Sequence, residues 1–197
     1  RQRLSRSRFT GRENFRIRGT EGRRREMKAA RKLGRAVEPI PEGYHTVTTC
    51  LTVRGADKAI EFYRKAFGAE LLDRMPAPDG KSVMHAILKI GDSRIFIGDE
   101  IPGMECRSPE SLGGSTSTFY LYVKNVDEAL RKAVDAGGTV KKPVMDAFWG
   151  DRFGTIADPF GYQWDLATHV EDVPPDELRK RGEAFFKEMA SKSRSIS

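Results

Sequence analysis

The sequence predicts an α+β fold built from two βαβββ modules, with a basic extension before them and a helix after them. Three observations support this prediction. The pattern of residues 51–68 recurs at 121–138, an offset of 70 residues. Residues 45–53 alternate between two faces in the manner of a half-buried strand. No stretch approaches the roughly 18–20 consecutive apolar residues that a membrane-spanning helix needs.

The N-terminal segment is basic and poor in apolar side chains. Residues 1–38 hold 14 of the 35 Lys and Arg residues and 4 Glu, a net charge of +10, so the rest of the chain carries −3. Such a segment cannot bury enough surface to offset its ordering entropy. We therefore predict a flexible extension over residues 1–43. One interpretation is an arm that binds RNA or another polyanion. The alternatives are a solvated extension, a transit peptide, or a segment upstream of the true start, because translation could begin at Met27.

Each module is predicted to begin with a strand followed by a helix. In the first module the strand covers 45–53, Asp57 opens the helix and Gly68 ends it. Asp127 and Gly138 stand at the same places in the second module. Further strands are predicted at 82–90, 93–98, 152–157 and 162–169.

The repeat also sets the limits of the domain. Two copies rather than three or more exclude a solenoid, so we predict one domain over residues 44–170, with modules at 44–101 and 117–170. Residues 171–197 are predicted to form a C-terminal helix and tail. The apolar side chains of this helix fall on one stripe, formed by Leu178, Phe185, Phe186 and Met189. The stripe has to be covered by the domain itself or by a partner.

Composition and motifs narrow the classes of function. Hydrophobic residues make up 38% of the chain and charged residues 32%, which is too polar for a membrane protein. No apolar segment follows the basic N-terminus, so a secretory signal is not expected. Cys50 and Cys106 are expected to be free thiols in a reducing cytosol. There is no P-loop, dinucleotide glycine fingerprint or Ser/His/Asp arrangement. These observations predict a cytoplasmic protein without membrane contact.

Four segments of the chain together carry a family resemblance. They are LTVRGADKAIEFYRKAFGAE (51–70), MHAILKIGD (84–92), LYVKNVDEALRKAVDAGG (121–138) and WGDRFGTIADPFGYQWDLATH (149–169). They resemble the vicinal-oxygen-chelate superfamily of glyoxalases, bleomycin-resistance proteins and dioxygenases, and within it the PhnB-like branch. The resemblance implies a cupped, mixed or antiparallel sheet with outer helices, a ligand or metal in the cup, and a homodimer. Because the members include both enzymes and drug-binding proteins, the fold does not decide the function.

The resemblance also implies where a divalent metal would bind. The family takes one ligand from the first strand and one from the last strand of each module. In this chain the first-strand positions fall on Thr48 and Thr118, and the last-strand positions fall on Asp165 and on either Ile95 or Phe96. Threonine and apolar side chains are poor ligands for a catalytic divalent ion. We therefore expect no metal and no other cofactor, with a metal held by atypical ligands as the alternative.

Several other residues are candidates for catalysis or binding. Asp165 should face the cup and His85 could face it from the first module, so these two form the candidate acid/base pair. Trp149 beside Arg152 suits a planar anionic ligand through stacking and bidentate pairing. The candidate ligand-binding residues are Thr48, Thr118, Tyr120, Trp149, Arg152 and His169. For each of them, packing or a surface ion pair is the simpler alternative.

Three functions follow as hypotheses. The leading one is a small-molecule-binding protein of the glyoxalase/bleomycin-resistance type, which holds its ligand in the cup without the usual metal. The second is a lyase, isomerase or transferase of the same superfamily, with an atypical metal or acid/base site. The third is a polyanion- or RNA-associated protein that acts through the basic N-terminal segment.

Overall fold

The computed structural model describes residues 37–194, which form two modules of the same order and a C-terminal helix. The first module contains β1 (Thr49–Val53), α1 (Ala56–Phe67), β2 (Glu70–Pro76), β3 (Val83–Ile90) and β4 (Ser93–Asp99). A short helix, α2 (Pro109–Leu112), leads to the second, which contains β5 (Thr118–Tyr122), α3 (Val126–Asp135), β6 (Thr139–Asp146), β7 (Asp151–Ala157) and β8 (Gln163–His169). Helix α4 (Pro175–Arg194) follows. The predicted α+β class with two βαβββ modules is confirmed.

Each module forms its own four-stranded sheet. The N-terminal sheet has the strand order β1-β4-β3-β2 and the C-terminal sheet has the order β5-β8-β7-β6. In both, the first strand pairs in parallel with the last and the other pairs are antiparallel. Helices α1 and α3 contact each other, and within residues 37–194 no strand of one sheet runs next to a strand of the other.

One apolar core joins both helices to one face of each sheet. Its buried side chains come from both sheets, among them Leu51, Leu88, Ile97, Ile156, Trp164 and Leu166. Because both helix-covered faces lie in the same core, the opposite face of each sheet points away from it. Strand alternation assigns Cys50, Thr52, His85, Ile87, Lys89, Arg94 and Phe96 to the N-terminal free face. It assigns Thr118, Tyr120, Tyr122, Asp151, Phe153, Thr155, Gln163, Asp165, Ala167 and His169 to the C-terminal free face. One chain thus presents two separate free faces, and we call each of them a half-cup.

Both module helices carry, as their second residue, an aspartate that is held by an arginine of the sheet below. Arg74 of β2 donates two hydrogen bonds to Asp57, each of 2.8 Å. Arg152 of β7 donates two to Asp127, each of 2.9 Å. A carboxylate in the first turn also stabilises the helix through its dipole. The repeated aspartates therefore serve the same structural purpose in both modules.

A buried carboxylate connects the two modules. Asp158, in the turn after β7, is only 6% exposed. It accepts hydrogen bonds from the hydroxyl of Tyr63 in α1 at 2.7 Å and from the indole Nε1 of Trp164 in β8 at 3.0 Å. Burial, and then the neighbouring carboxylate, raise the pKa of Tyr63 well above its usual value. The DPFG turn predicted from the sequence is therefore also a joint between the modules.

The sequence did not reveal the short helix α2, nor the two edge strands, β2 and β6. Most side chains of these two strands are exposed or only partly buried. Their pairing with the neighbouring strand contains register shifts. Such irregularities interrupt the two-residue alternation on which strand prediction depends.

No helix within residues 37–194 combines the length and the apolar character needed to cross a bilayer.

Candidate functional site

The C-terminal free face carries a cluster of hydrogen bonds around one buried carboxylate. Asp151, the first residue of β7, is 3% exposed. Its Oδ2 accepts hydrogen bonds from the hydroxyl groups of Tyr120 at 2.8 Å and Tyr122 at 3.2 Å and from the indole Nε1 of Trp149 at 3.1 Å. Its Oδ1 lies 2.8 Å from Nδ1 of His169. We call these five residues the Asp151 cluster.

The strand order explains how tyrosines of β5 reach a carboxylate of β7. Strand β8 lies between them. Ala167 of β8 is fully buried, and it pairs with Tyr122 on one side and with Phe153 on the other. Because alanine has no atoms beyond Cβ, it leaves room for the phenol rings to cross β8. Neighbouring strands are about 4.8 Å apart, so a tyrosine and an aspartate together span the two spacings.

The hydrogen bonds fix the charge state of the cluster. Burial alone would raise the pKa of Asp151, but the donors of His169, Tyr120, Tyr122 and Trp149 outweigh it and hold this pKa below its usual value. Burial raises the pKa of Tyr120 to about 12, and the bond donated to Asp151 acts in the same direction, against the opposing effect of Trp149. Burial and Asp151 likewise raise the pKa of Tyr122. At neutral pH, Asp151 is therefore a carboxylate and both phenols are protonated.

His169 lies between two carboxylates. Its Nδ1 is 2.8 Å from Asp151 and its Nε2 is 2.9 Å from Oδ1 of Asp172. The hydrogen bond with Asp172, followed by that with Asp151, raises the pKa of His169. A ring that faces a carboxylate at each nitrogen is fully satisfied only when both nitrogens carry a proton.

We expect the protein to lose stability as the pH rises through the raised pKa of His169. The higher folded-state pKa means that the proton favours the folded state. The stabilisation that protonated His169 provides is therefore complete below the pKa of about 6.5 that histidine has in the unfolded chain. It disappears as the pH rises through the higher pKa of the folded state. Urea unfolding between pH 5.5 and pH 9, read by tryptophan fluorescence, measures this effect. The variant His169→Gln, which cannot titrate, should respond less to pH, and equal pH dependence of both proteins would refute the assignment.

Asp165 lies beside the Asp151 cluster on the same face. It pairs in register with Tyr120 of β5, and its Oδ1 accepts a hydrogen bond from the hydroxyl of Thr155. Thr118, the first residue of β5, is exposed on this face. Five of the residues singled out in the sequence are thus brought to one face, namely Thr118, Tyr120, Trp149, Asp165 and His169.

The candidate acid/base pair is not brought together within one chain. His85 lies in β3, where its ring packs against Phe96 with the ring centroids 4.8 Å apart. Asp165 lies on the other sheet, and in the described part of the chain no strand of one sheet runs next to a strand of the other. Thr48, which precedes β1, also belongs to the first module.

Arg152 does not face the half-cup. Alternation along β7 turns it to the helix side of the sheet, where it is bound by Asp127 and, at 2.9 Å, by Asp146. Its neighbour Asp151 faces the half-cup instead. The predicted pairing of Arg152 with an anionic ligand beside Trp149 is therefore corrected, because the register of β7 puts a carboxylate where the arginine was expected.

Comparison with known proteins identifies the family. Residues 44–166 match the model of the Glyoxalase/Bleomycin resistance protein/Dioxygenase superfamily. The chain belongs to this superfamily. The resemblance seen in the sequence is thereby confirmed.

Relatives of the chain share the same region. An uncharacterized protein of Mycobacterium tuberculosis, Rv0887c, is 43% identical over 132 residues, which cover 66% of this chain and 77% of that protein. The X-ray structure of the gene product At5g48480 of Arabidopsis thaliana is 30% identical, with a TM-score of 0.50, and the match covers 63% of this chain and 98% of the other. A PhnB protein of Bacillus cereus is 18% identical, with a TM-score of 0.49, over 63% of this chain and 99% of the other.

The residues present do not fit the divalent metal of the family's enzymes. Cys50 pairs with Phe96 in the first module as Tyr120 pairs with Asp165 in the second, so Phe96 rather than Ile95 is the counterpart of Asp165. The four positions therefore hold two threonines, a phenylalanine and one aspartate, whereas such an ion prefers imidazole and carboxylate ligands. In the described part of the chain, no group of three or more His, Cys, Asp or Glu is arranged to hold a metal.

Two members of the site were missed in the sequence, Asp151 and Asp172, whereas Tyr122 follows from the same strand alternation as Tyr120. Asp172 leaves no sequence signal, because its position beside His169 depends on a tight contact between residues 170–171 and Gly150. The amides of Val170 and Glu171 donate to the carbonyl of Gly150 at 2.9 and 3.0 Å. A Cβ at Gly150 would lie 2.1 Å from the carbonyl oxygen of Glu171.

Proposed function

We propose that this chain is a small-molecule-binding protein of the glyoxalase/bleomycin-resistance type, which holds its ligand on the C-terminal free face. The observation that carries the proposal is the Asp151 cluster. Its polar atoms are fixed by one buried carboxylate, while Tyr120 and Tyr122 stay 43% and 62% exposed. Aromatic side chains held in place with their rings accessible offer large contact area at little entropic cost, as ligand sites require.

We further propose that binding proceeds without the family's usual metal centre. A metal of the family would act as a Lewis acid on vicinal oxygens of the substrate. The ligand positions Thr48, Phe96, Thr118 and Asp165 supply one carboxylate and no imidazole. The catalytic alternative, with His85 and Asp165 as acid and base, would require residues from two copies of the chain.

Metal analysis tests the absence of a metal centre. Protein purified without a tag should contain less than about 0.1 equivalent of nickel, zinc, manganese or iron, because threonine and phenylalanine are not effective ligands. Stoichiometric binding of any of these ions, reduced in the variant Asp165→Asn, would refute the proposal.

A thermal-shift screen of planar drugs and phosphonates tests ligand binding. A ligand at 100 times its dissociation constant stabilises the folded state by about 2.7 kcal/mol, which gives a clear rise in Tm. We expect planar compounds to produce this rise in the wild type and the variant Lys141→Gln, an exposed control in β6, and a smaller rise in Tyr122→Leu. The proposal fails if no compound stabilises the wild type or if Tyr122→Leu responds equally.

We propose that the protein is a homodimer in which a second copy covers the open half-cups. Each chain has two free faces that point away from its core, and a cup that contains both His85 and Asp165 requires faces from two copies. Helix α4 also leaves Phe186 66% and Met189 55% exposed. Its packing on the domain uses Phe185, whose ring lies 5.3 Å from that of Phe148. Exposed apolar area of this kind is typical of an interface.

Sedimentation velocity tests the dimer. We expect a species of about twice the chain mass of 22.1 kDa at micromolar concentration, and a shift toward monomer in the double variant Phe186→Asp, Met189→Lys. A monomer at every concentration would refute the proposal.

The third hypothesis, binding of RNA or another polyanion, concerns residues 1–38, of which 1–36 lie outside the described residues. It stays a prediction, as does the cytoplasmic location. Deletion of residues 1–38 should abolish salt-sensitive RNA binding if the hypothesis is right.

A further inference from the structure

We propose that the ligand of the C-terminal free face is a planar aromatic cation. The inference rests on the proposed binding function and narrows it to one chemical class. It reverses the charge that the sequence suggested, because Arg152 lies on the other side of the sheet. Two observations support it. The donors of the Asp151 cluster are engaged by carboxylates, and the rings of Tyr120 and Tyr122 are exposed.

The donors of the Asp151 cluster are already engaged by carboxylates. Asp151 accepts both phenol hydroxyls and the indole N–H of the Asp151 cluster. Asp165 accepts the hydroxyl of Thr155, and His169 faces a carboxylate at each nitrogen. An anionic ligand at the Asp151 cluster would have to displace one of these bonds and would lie beside the carboxylates of Asp151 and Asp165. A cation, or a ligand with its own N–H groups, meets acceptors without displacing any bond.

The rings of Tyr120 and Tyr122 are suited to a positive charge. Their centroids are 5.1 Å apart and their planes are tilted by 56°, so they form two adjoining walls. Both hydroxyls donate to the carboxylate of Asp151, which increases the electron density of the rings and hence their attraction for a cation. Asp165, the register partner of Tyr120, adds a negative charge next to these walls.

Two other aromatic rings of the domain already hold cations of the chain itself, and one of them, Phe153, lies on the C-terminal free face. The guanidinium of Arg94 lies 4.4 Å from the ring centroid of Tyr44, and the ammonium of Lys142 lies 6.0 Å from that of Phe153. Within residues 37–194, no Lys or Arg lies over Tyr120 or Tyr122 in this way. These two exposed rings are therefore open to a cation from a ligand.

Three bicyclic probes of similar size separate charge from shape. They are 1-methylquinolinium, a cation, 1-naphthamide, which is neutral, and 1-naphthoate, an anion. Calorimetric titration of the full chain should show 1-methylquinolinium binding about 10-fold more tightly than 1-naphthamide, and 1-naphthoate binding weakest. Raising the salt from 0.05 to 0.5 M should reduce the advantage of the cation, because salt screens its attraction to the carboxylates.

Matched variants assign the preference to this face. Asp165→Asn removes a charge and keeps the shape, so it should weaken 1-methylquinolinium about 3- to 10-fold and leave 1-naphthamide unchanged. Tyr122→Leu should weaken both probes. Lys141→Gln, exposed on β6, should weaken neither.

The outcomes distinguish the ligand class from the binding function. If 1-naphthoate binds most tightly, or if all three probes bind equally, the class is overturned while the binding function stands. If no probe binds and the drug screen finds only neutral or anionic ligands that depend on Tyr122, the ligand class is again overturned, whereas a cationic aromatic drug that depends on Tyr122 supports it. If neither probes nor drugs bind, the binding function fails, and the inference fails with it.

Discussion

Replacing Asp158 with alanine is expected to lower the free energy of unfolding by about 3–5 kcal/mol, because buried donors lose a charged acceptor. The hydroxyl of Tyr63 and the indole N–H of Trp164 both point at this carboxylate inside the core. The backbone amides of Phe160 and Tyr162 also donate to it, each at 2.9 Å. At 6% exposure of Asp158, water cannot replace the carboxylate unless the contact between the modules opens. Urea unfolding read by tryptophan fluorescence measures the loss.

Two further variants make this result specific. Asp135→Ala removes an exposed carboxylate at the end of α3 and should change the stability by no more than about 0.5 kcal/mol. Tyr63→Phe removes one donor, so the loss in the double variant with Asp158→Ala should be smaller than the sum of the single losses. If Asp158→Ala is no more harmful than Asp135→Ala, or if the two losses simply add, the carboxylate does not join the modules.

The fold was largely predictable because the duplication marks the sequence twice. Asp57 and Asp127 each lie in the first turn of a helix, and each is bound by an arginine of its own sheet, so the same physical requirement applies at both places. Strands β2 and β6 lack such marks. They are edge strands with irregular register, and their exposed side chains are under little packing constraint.

The candidate site was only partly predictable. Alternation along β8 depends on local geometry alone, and it places Asp165 and His169 on one face. Whether Asp151 or Arg152 faces the half-cup depends on one residue of register at the start of β7, and a slip of one residue exchanges the two faces. The separation of His85 from Asp165 depends on how α1 packs against α3. Long-range packing of this kind leaves no local pattern in the sequence.

Replacing Asp151 with alanine is expected to lower the free energy of unfolding by about 2–4 kcal/mol, because the Asp151 cluster loses its common acceptor. Tyr120 and Tyr122 should then become mobile, since no other hydrogen bond within residues 37–194 holds their hydroxyls. Fluorine NMR of 3-fluorotyrosine-labelled protein would show the released rings as sharpened signals near the random-coil shift. Unchanged signals would mean that packing on Ala167, rather than Asp151, orients the rings.

Asparagine at position 151 should have a more selective effect. Its amide oxygen can replace Oδ2 and accept the three donors of Tyr120, Tyr122 and Trp149. Its amide NH₂ then faces Nδ1 of His169, which can accept a hydrogen bond only when the ring is neutral and carries its proton on Nε2, toward Asp172.

The variant Asp151→Asn should therefore keep the tyrosines in place and lower the pKa of His169 toward its usual value. Proton–carbon NMR titration of the histidine Cε1 signal measures this pKa. Asp172→Asn is the matched control, because it removes the other carboxylate of His169 and leaves the acceptor of the tyrosines intact. A pKa of His169 that falls in Asp172→Asn but not in Asp151→Asn would show that the exposed carboxylate alone sets the charge of this ring, and that the Asp151 cluster does not depend on it.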